Sequence, residues 1–246
     1  MIANPWQVQI QGWASDLEYC ARHLAQTAWR VIRDERGPGF LFESDAFADC
    51  SQSVQVLDVA NEELAVLSGV LKMTRDSPEP LRASGVYRKN SSGGRDVFLH
   101  IHESVHAHVS DEVTVTTRDA NGVVISKPAP PPRVVMVSQL AMRNPAVAKA
   151  MRLLASPDHK SWVGMYRIHE VIEADVGGEH SLKKLEWGSA KDMKRFKHSA
   201  NSVSVAGDSA RHGKEHERPP ENPMSLHEAS AYLNYVLHSW LTSKGI

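Results

Sequence analysis

Six residues toward the C-terminal end, Arg211-His212-Gly213-Lys214-Glu215-His216, bring together side chains suited to phosphate chemistry. An imidazole gains and loses a proton near neutrality, so His216 can serve as acid or base. An arginine is always charged and offers a planar fork that matches phosphate oxygens in pairs. Arg95 to His100 has the same spacing, so spacing alone does not single this motif out. Its context does, because it lies between helical segments and a polar residue, His212, follows the arginine directly. The competing reading is a solvated, salt-bridged helix end formed by Arg211, His212 and His216.

A second constellation is the run His100-Ile101-His102-Glu103-Ser104-Val105-His106-Ala107-His108. Alternate residues of a strand share a face, which pairs His100 with His102 and His106 with His108. Two such pairs across a turn could offer four imidazoles to a zinc-like ion, with Glu103 as the one carboxylate at hand to orient them. The other reading is a polar strand face opposite a buried apolar face of Val97, Leu99 and Ile101. The expectation is no stoichiometric zinc and no cofactor. No phosphate loop, dinucleotide fingerprint, serine elbow or Cys-rich zinc module is present in the sequence.

The elements that must position these residues change period along the chain. Trp6 to Ile10 alternates as a strand, and Ser15 with Glu18 has the form of a capping box opening a helix. Segments 29–33 and 39–43 read as strands turned at Gly37-Pro38-Gly39. Residues 54–73 carry a helical stripe of Leu57, Ala60, Leu64, Leu67 and Leu71. From Leu81 to Lys127 the period is two, with Asn121-Gly122 as a hairpin signal. Pro128-Ala129-Pro130-Pro131-Pro132 can be neither helix interior nor central strand and reads as a stiff linker. Beyond it the period is helical. Pro145 opens 145–155, and Trp162, Met165, His169, Ile172 and Val176 mark a helix ending at Gly177-Gly178. Another helix runs from Ser189 to about His198, a further one is expected around 208–217, and a second capping box at Ser225 and Glu228 starts the last. Phe196 to Asp208 reads as a loop returning toward Arg211, in which His198 or Asn201 could orient a site. The expected fold is α+β: a mixed domain with an antiparallel sheet over 1–127, the linker over 128–132, and a helical bundle over 133–246.

Residues 1–137 hold 13 Lys/Arg against 17 Asp/Glu, a balance of -4, and residues 138–246 hold 15 against 12, a balance of +3. An anionic partner therefore suits the second half better than the first. Cys20 and Cys50 are too few for a disulfide framework and behave as small hydrophobes. The N-terminus lacks the pattern of a signal peptide, and no run approaches the ~18 apolar residues of a membrane helix, so the expected location is cytoplasmic.

The segment 138–246 resembles the HEPN superfamily, small helical bundles found in prokaryotic toxins, CRISPR effectors and abortive-infection proteins. The resemblance rests on Arg211, the polar His212, His216 and the amphipathic helix that follows at 225–241. His212 stands where the family most often has Asn. The resemblance implies a metal-independent endoribonuclease that leaves a 2',3'-cyclic phosphate, acts on RNA and works as a homodimer, with Arg211, His212 and His216 at the active site. It also implies an effector of toxin or antiphage type. The alternatives are a non-catalytic binding or scaffolding protein that uses the bundle for dimerisation, and a metal-dependent enzyme using the His100–His108 cluster.

Overall fold

The computed structural model describes residues 5–90, 94–99, 131–207, 210 and 220–246. Apolar alternation builds a five-stranded antiparallel sheet from β1 (Trp6–Gln11), β2 (Trp29–Arg33), β3 (Phe40–Ser44), β4 (Arg82–Lys89) and β5 (Arg95–Leu99). The strand order is β2-β3-β1-β4-β5. Register sets Val31 opposite Phe42, Phe42 opposite Val8, Val8 opposite Val86 and Val86 opposite Phe98. The first four of this cross-strand row are fully buried. They form the core face of the sheet, each pair adding side-chain contact to the ladder's hydrogen bonds.

Helix α1 (Ala14–His23) packs against β2, and the long α2 (Ser53–Arg75) packs against β4 and β1. The buried residues of α2 include Val56, Ala60, Leu64, Leu67 and Leu71, a stripe at helical spacing. The buried Ser68 hydroxyl donates to Leu64 O and accepts from Leu81 N at 2.9 Å, fastening α2 to the approach to β4. Between β3 and α2, a single turn of 3-10 helix over Asp45–Asp49 sets Phe47 edge-on against Phe42.

Two expectations for this part do not hold. Helix α1 begins at Ala14 with Trp13 at the N-cap and no side-chain cap bond, so Ser15 and Glu18 form no capping box. Glu18 reaches across to Arg33 instead. Val97 is not buried but 53% exposed. Pairing with Val86 turns Phe98 toward the core side, where its ring lies 5.8 Å from Trp6. Residues 100–127, with the histidine run and Asn121-Gly122, lie outside the described residues.

Helix α3 (Arg133–Arg143) starts directly after Pro132, whose carbonyl accepts from Val135 N and Met136 N. The chain divides into two compact units, Met1–Gln139 and Leu140–Ile246, with the division inside α3. In the second unit every described regular element is helical: α4 (Pro145–Ala155), α5 (Trp162–Asp175), α6 (Glu179–Lys184), α7 (Ala190–Asn201), α8 (Val203–Ala206) and α9 (Leu226–Ser243). The architecture is α+β. Asn144 caps α4 through Ala146 N and Val147 N, with Pro145 in the first turn, where its missing N–H costs nothing. Helix α5 packs against α4, α6, α7 and α9 and is the centre of the unit. Phe196 to Asn201 are not a loop. They complete α7, because Phe196, Ser199 and Ala200 all turn into the core. No helix among the described residues is long and apolar enough to cross a membrane.

Candidate functional site

Of the residues marked out by sequence, Arg211, His212 and His216 lie outside the described residues, as do His100, His102, His106 and His108. The structure does place the chain on either side of Arg211–His216. The chain leaves α7 at Asn201 and comes back to it at Met224, whose N–H donates to the buried Ser199 hydroxyl at 2.9 Å. One turn earlier, Arg195 fastens the returning chain. Its Nε donates to Asn222 O at 3.1 Å, and Nη2 donates to Pro223 O at 3.3 Å and to Glu228 Oε1 at 3.2 Å. Glu228 also closes the capping box of α9 with Ser225, so one carboxylate serves both the cap and the latch. The returning end of the segment carrying the motif is thus tied to the last turns of α7, and its outgoing end follows α7 by way of α8. Asn201 ends that helix with Oδ1 buried and unpartnered among the described residues.

Beside this anchor, α5, α6, α7 and α9 enclose a polar cluster that sequence reasoning did not assemble. His169 of α5 is fully buried. The rings of Phe196 and Tyr232 lie 5.2 and 5.9 Å from its own, and Tyr166 stacks on Phe196 at 5.9 Å. The Tyr232 hydroxyl is 3.3 Å from His169 Nε2, and Glu173 Oε2 is 3.6 Å from Nδ1. Lys197 of α7 sits between two carboxylates, 2.5 Å from Glu173 Oε2 and 2.7 Å from Glu179 Oε2.

The electrostatics follow from burial. Desolvation, with the Lys197 charge close by, pushes His169 down to about 4, so the ring is neutral near pH 7. A neutral ring has one N–H and one acceptor. Nε2 and the Tyr232 hydroxyl share one hydrogen bond, and Nδ1 faces Glu173 at 3.6 Å with no hydrogen-bond partner among the described residues. Desolvation, with the carboxylates of Asp192, Glu173 and Glu179, pushes the Tyr232 phenol above its ordinary value, which keeps it a donor. Burial works against charge on Lys197, yet its hydrogen bonds to Glu173 and Glu179 raise it above the usual lysine value. Hydrogen bonds from Lys183 and Lys197 hold Glu179 down to about 2.

A ring with no exposure cannot touch a substrate, so this cluster positions rather than reacts. It locks α5, α7 and α9 in one register; α9 follows the motif, and α7 precedes it by way of the short α8. The signal for His169 was present in sequence, since it falls on the apolar stripe of α5. Tyr232 lies 63 residues away on another helix, and nothing local points to it. Among the described residues no group of three or more His, Cys, Asp or Glu is arranged to hold a metal ion. Comparisons with protein-family models, with curated proteins and with solved structures find no match.

Proposed function

We propose that the helical unit is an RNA-cleaving module of HEPN type, acting in the cytoplasm as a homodimer, with Arg211, His212 and His216 as its reactive residues. The observation that carries this reading is the anchoring of the motif-bearing segment. Ser199 and Arg195 bind the returning chain at Asn222–Met224, beside a polar core that fixes α7 against α5 and α9. A short catalytic motif between two helices needs such a base, because loss of about 1 Å in placement costs about 100-fold in rate.

RNA supplies its own nucleophile. The 2'-oxygen attacks phosphorus and gives up its proton, the bond to the 5'-oxygen breaks, and that oxygen takes a proton. The products are a 2',3'-cyclic phosphate and a free 5'-hydroxyl. His216 carries proton transfer, since an imidazole changes charge near neutrality. Arg211 neutralises charge on the phosphorane with its fork of donors. His212 has the supporting role at the position after the arginine. No step calls for a metal.

The test is digestion of single-stranded and transfer RNA with EDTA present. Arg211→Ala and His216→Ala should each lower cleavage by ~100-fold or more, the scale of a lost acid–base group. His212→Ala should do less, and the melting temperature should hardly move in any of the three. Arg82→Ala, an exposed arginine of the other unit, is the control. Intact RNA at high excess of wild-type protein overturns the reading, and the helical unit is then a binding or assembly module.

A further inference from the structure

The sheet of the first unit has a second face that is polar yet largely withdrawn from water. Gln7 is 5% exposed, and the Glu43 side chain is 16% exposed. Glu43 accepts from Gln7 Nε2 at 2.7 Å and from Arg30 Nε at 3.2 Å, with Lys89 Nζ 3.3 Å away. Arg30 also donates to Asp45 Oδ1 at 2.8 Å, so Glu43 is shared between Arg30 and Lys89 while Asp45 meets Arg30 from its other side. Tyr87 belongs to the same face through its hydroxyl, which donates to Gln9 Oε1 at 2.8 Å.

Asp34 and Arg95 shape this face. Asp34 follows β2, and Arg95 begins β5, the two outermost described strands of the sheet. The β2–β3 turn lies toward the Ile10 end of β1, and the β4–β5 turn lies toward its Trp6 end. Asp34 and Arg95 thus stand at diagonally opposite corners, separated in a flat sheet by four strand spacings, roughly 19 Å, across the strands and by a further strand length along them. Arg95 Nη1 and Nη2 nonetheless donate to Asp34 Oδ1 and Oδ2 at 2.9 and 2.8 Å, while the guanidinium stacks 4.2 Å from the Tyr87 ring centroid. The sheet coils until the two corners meet over the polar face.

A cleft of about 850 Å³ runs beside this clasp and around the edge of β2 to α1. Its described lining includes five cations, Arg22, Arg33, Arg36, Lys89 and Arg95, against three carboxylates, Glu18, Asp34 and Glu35. Glu18 pairs with Arg33 and Asp34 with Arg95, and Lys89 lies 3.3 Å from Glu43 at the edge of the cleft. What the lining offers an anion is its overall surplus of two cations over carboxylates. Ile32 and Leu41 supply an apolar wall. A volume of this size, one apolar wall and cations arriving from α1, the β2–β3 turn and β4 are the properties of a pocket for a small polar ligand. Cations from several directions favour an anion with several oxygens.

We infer that this cleft binds a phosphorylated small molecule of nucleotide size, with Lys89 and Arg36 on the phosphate and Ile32 and Leu41 against its uncharged part. This site is separate from the RNA-cleaving reading and does not depend on it.

Calorimetric titration of the full chain with AMP, adenosine and inorganic phosphate tests the inference. AMP should bind, with phosphate weaker and adenosine weaker still. Lys89→Glu and Arg36→Glu should each weaken AMP at least about tenfold, the effect expected from reversing a charge on a phosphate. Both side chains are exposed, so folding should survive, and unchanged circular dichroism would verify it. Arg82→Glu, outside the cleft, should leave AMP binding unchanged. Arg211→Ala should also leave it unchanged, which separates this site from any phosphate affinity of the helical unit. Absence of heat with both AMP and phosphate at millimolar concentration overturns the inference. Equal binding of adenosine, or indifference to Lys89→Glu and Arg36→Glu, overturns it as well.

Discussion

A fully buried histidine makes folding depend on pH in a direction fixed by its environment. His169 titrates at about 4 in the folded protein, against 6.5 for a free imidazole. As pH falls through 6.5, the unfolded chain takes up a proton that the folded chain refuses, so stability declines until about pH 4 and then levels off. The full difference is on the order of 3 kcal/mol. His169→Gln keeps a polar group opposite Tyr232 and removes the titration. Urea denaturation at pH 7 and pH 5 should show wild-type protein losing clearly more stability than the variant over that interval. Equal losses would mean that the ring is hydrated in solution. The carboxylate most depressed in this cluster, Glu179, titrates at about 2 and does not confuse the comparison. Sequence periodicity put His169 on the inner side of α5. Its neutrality comes from Phe196, Tyr232 and Lys197, side chains of two other helices.

The two candidate capping boxes show how much an element's start depends on its neighbours. Both have a serine followed three residues later by glutamate, and only one forms. At α9, Ser225 Oγ accepts from Glu228 N at 3.2 Å, and Glu228 Oε2 accepts from Ser225 N at 2.8 Å. At α1, the helix starts one residue before Ser15, and Glu18 is drawn off by Arg33 on the adjacent strand. Ser225→Ala should cost about 1 kcal/mol, whereas Ser15→Ala should stay within about 0.5 kcal/mol of wild type. Parallel denaturation curves of the two variants measure this directly. Similar losses at both sites would refute the assignment of the caps. The extension of α7 through Asn201 has the same kind of cause. Its small polar residues suggest a loop, but Phe196 and Ala200 are held helical by burial, and Ser199 spends its hydroxyl on Met224.

At the scale of the molecule, the contact with most leverage on the sheet is the bidentate pair of Asp34 and Arg95. Their side chains are 4% and 17% exposed, so removing one partner strands a charge in a poorly hydrated place. Arg95→Ala should destabilise the first unit by about 3 kcal/mol. The Arg95 hydrogen bonds hold the Asp34 carboxyl below its ordinary value. That contribution is present above the carboxyl's unfolded value and is lost as pH falls through the folded one. The variant and wild type should therefore converge in stability in acid, and a gap that persists there would point to lost packing over Tyr87 instead. Local pattern was enough to mark the strands 29–33 and 39–43, the helix 145–155, the end of α5 at Gly177-Gly178 and the α+β class. These depend on periodicity, glycine, proline and caps, which act over a few residues. Tertiary structure alone decided that Phe98 rather than Val97 faces the core, that Glu18 serves Arg33, that His169 meets Tyr232, and that two corners of the sheet close on each other. Each of these joins groups distant in sequence, and the energy that selects them comes from burial and pairing across elements, which no local pattern encodes.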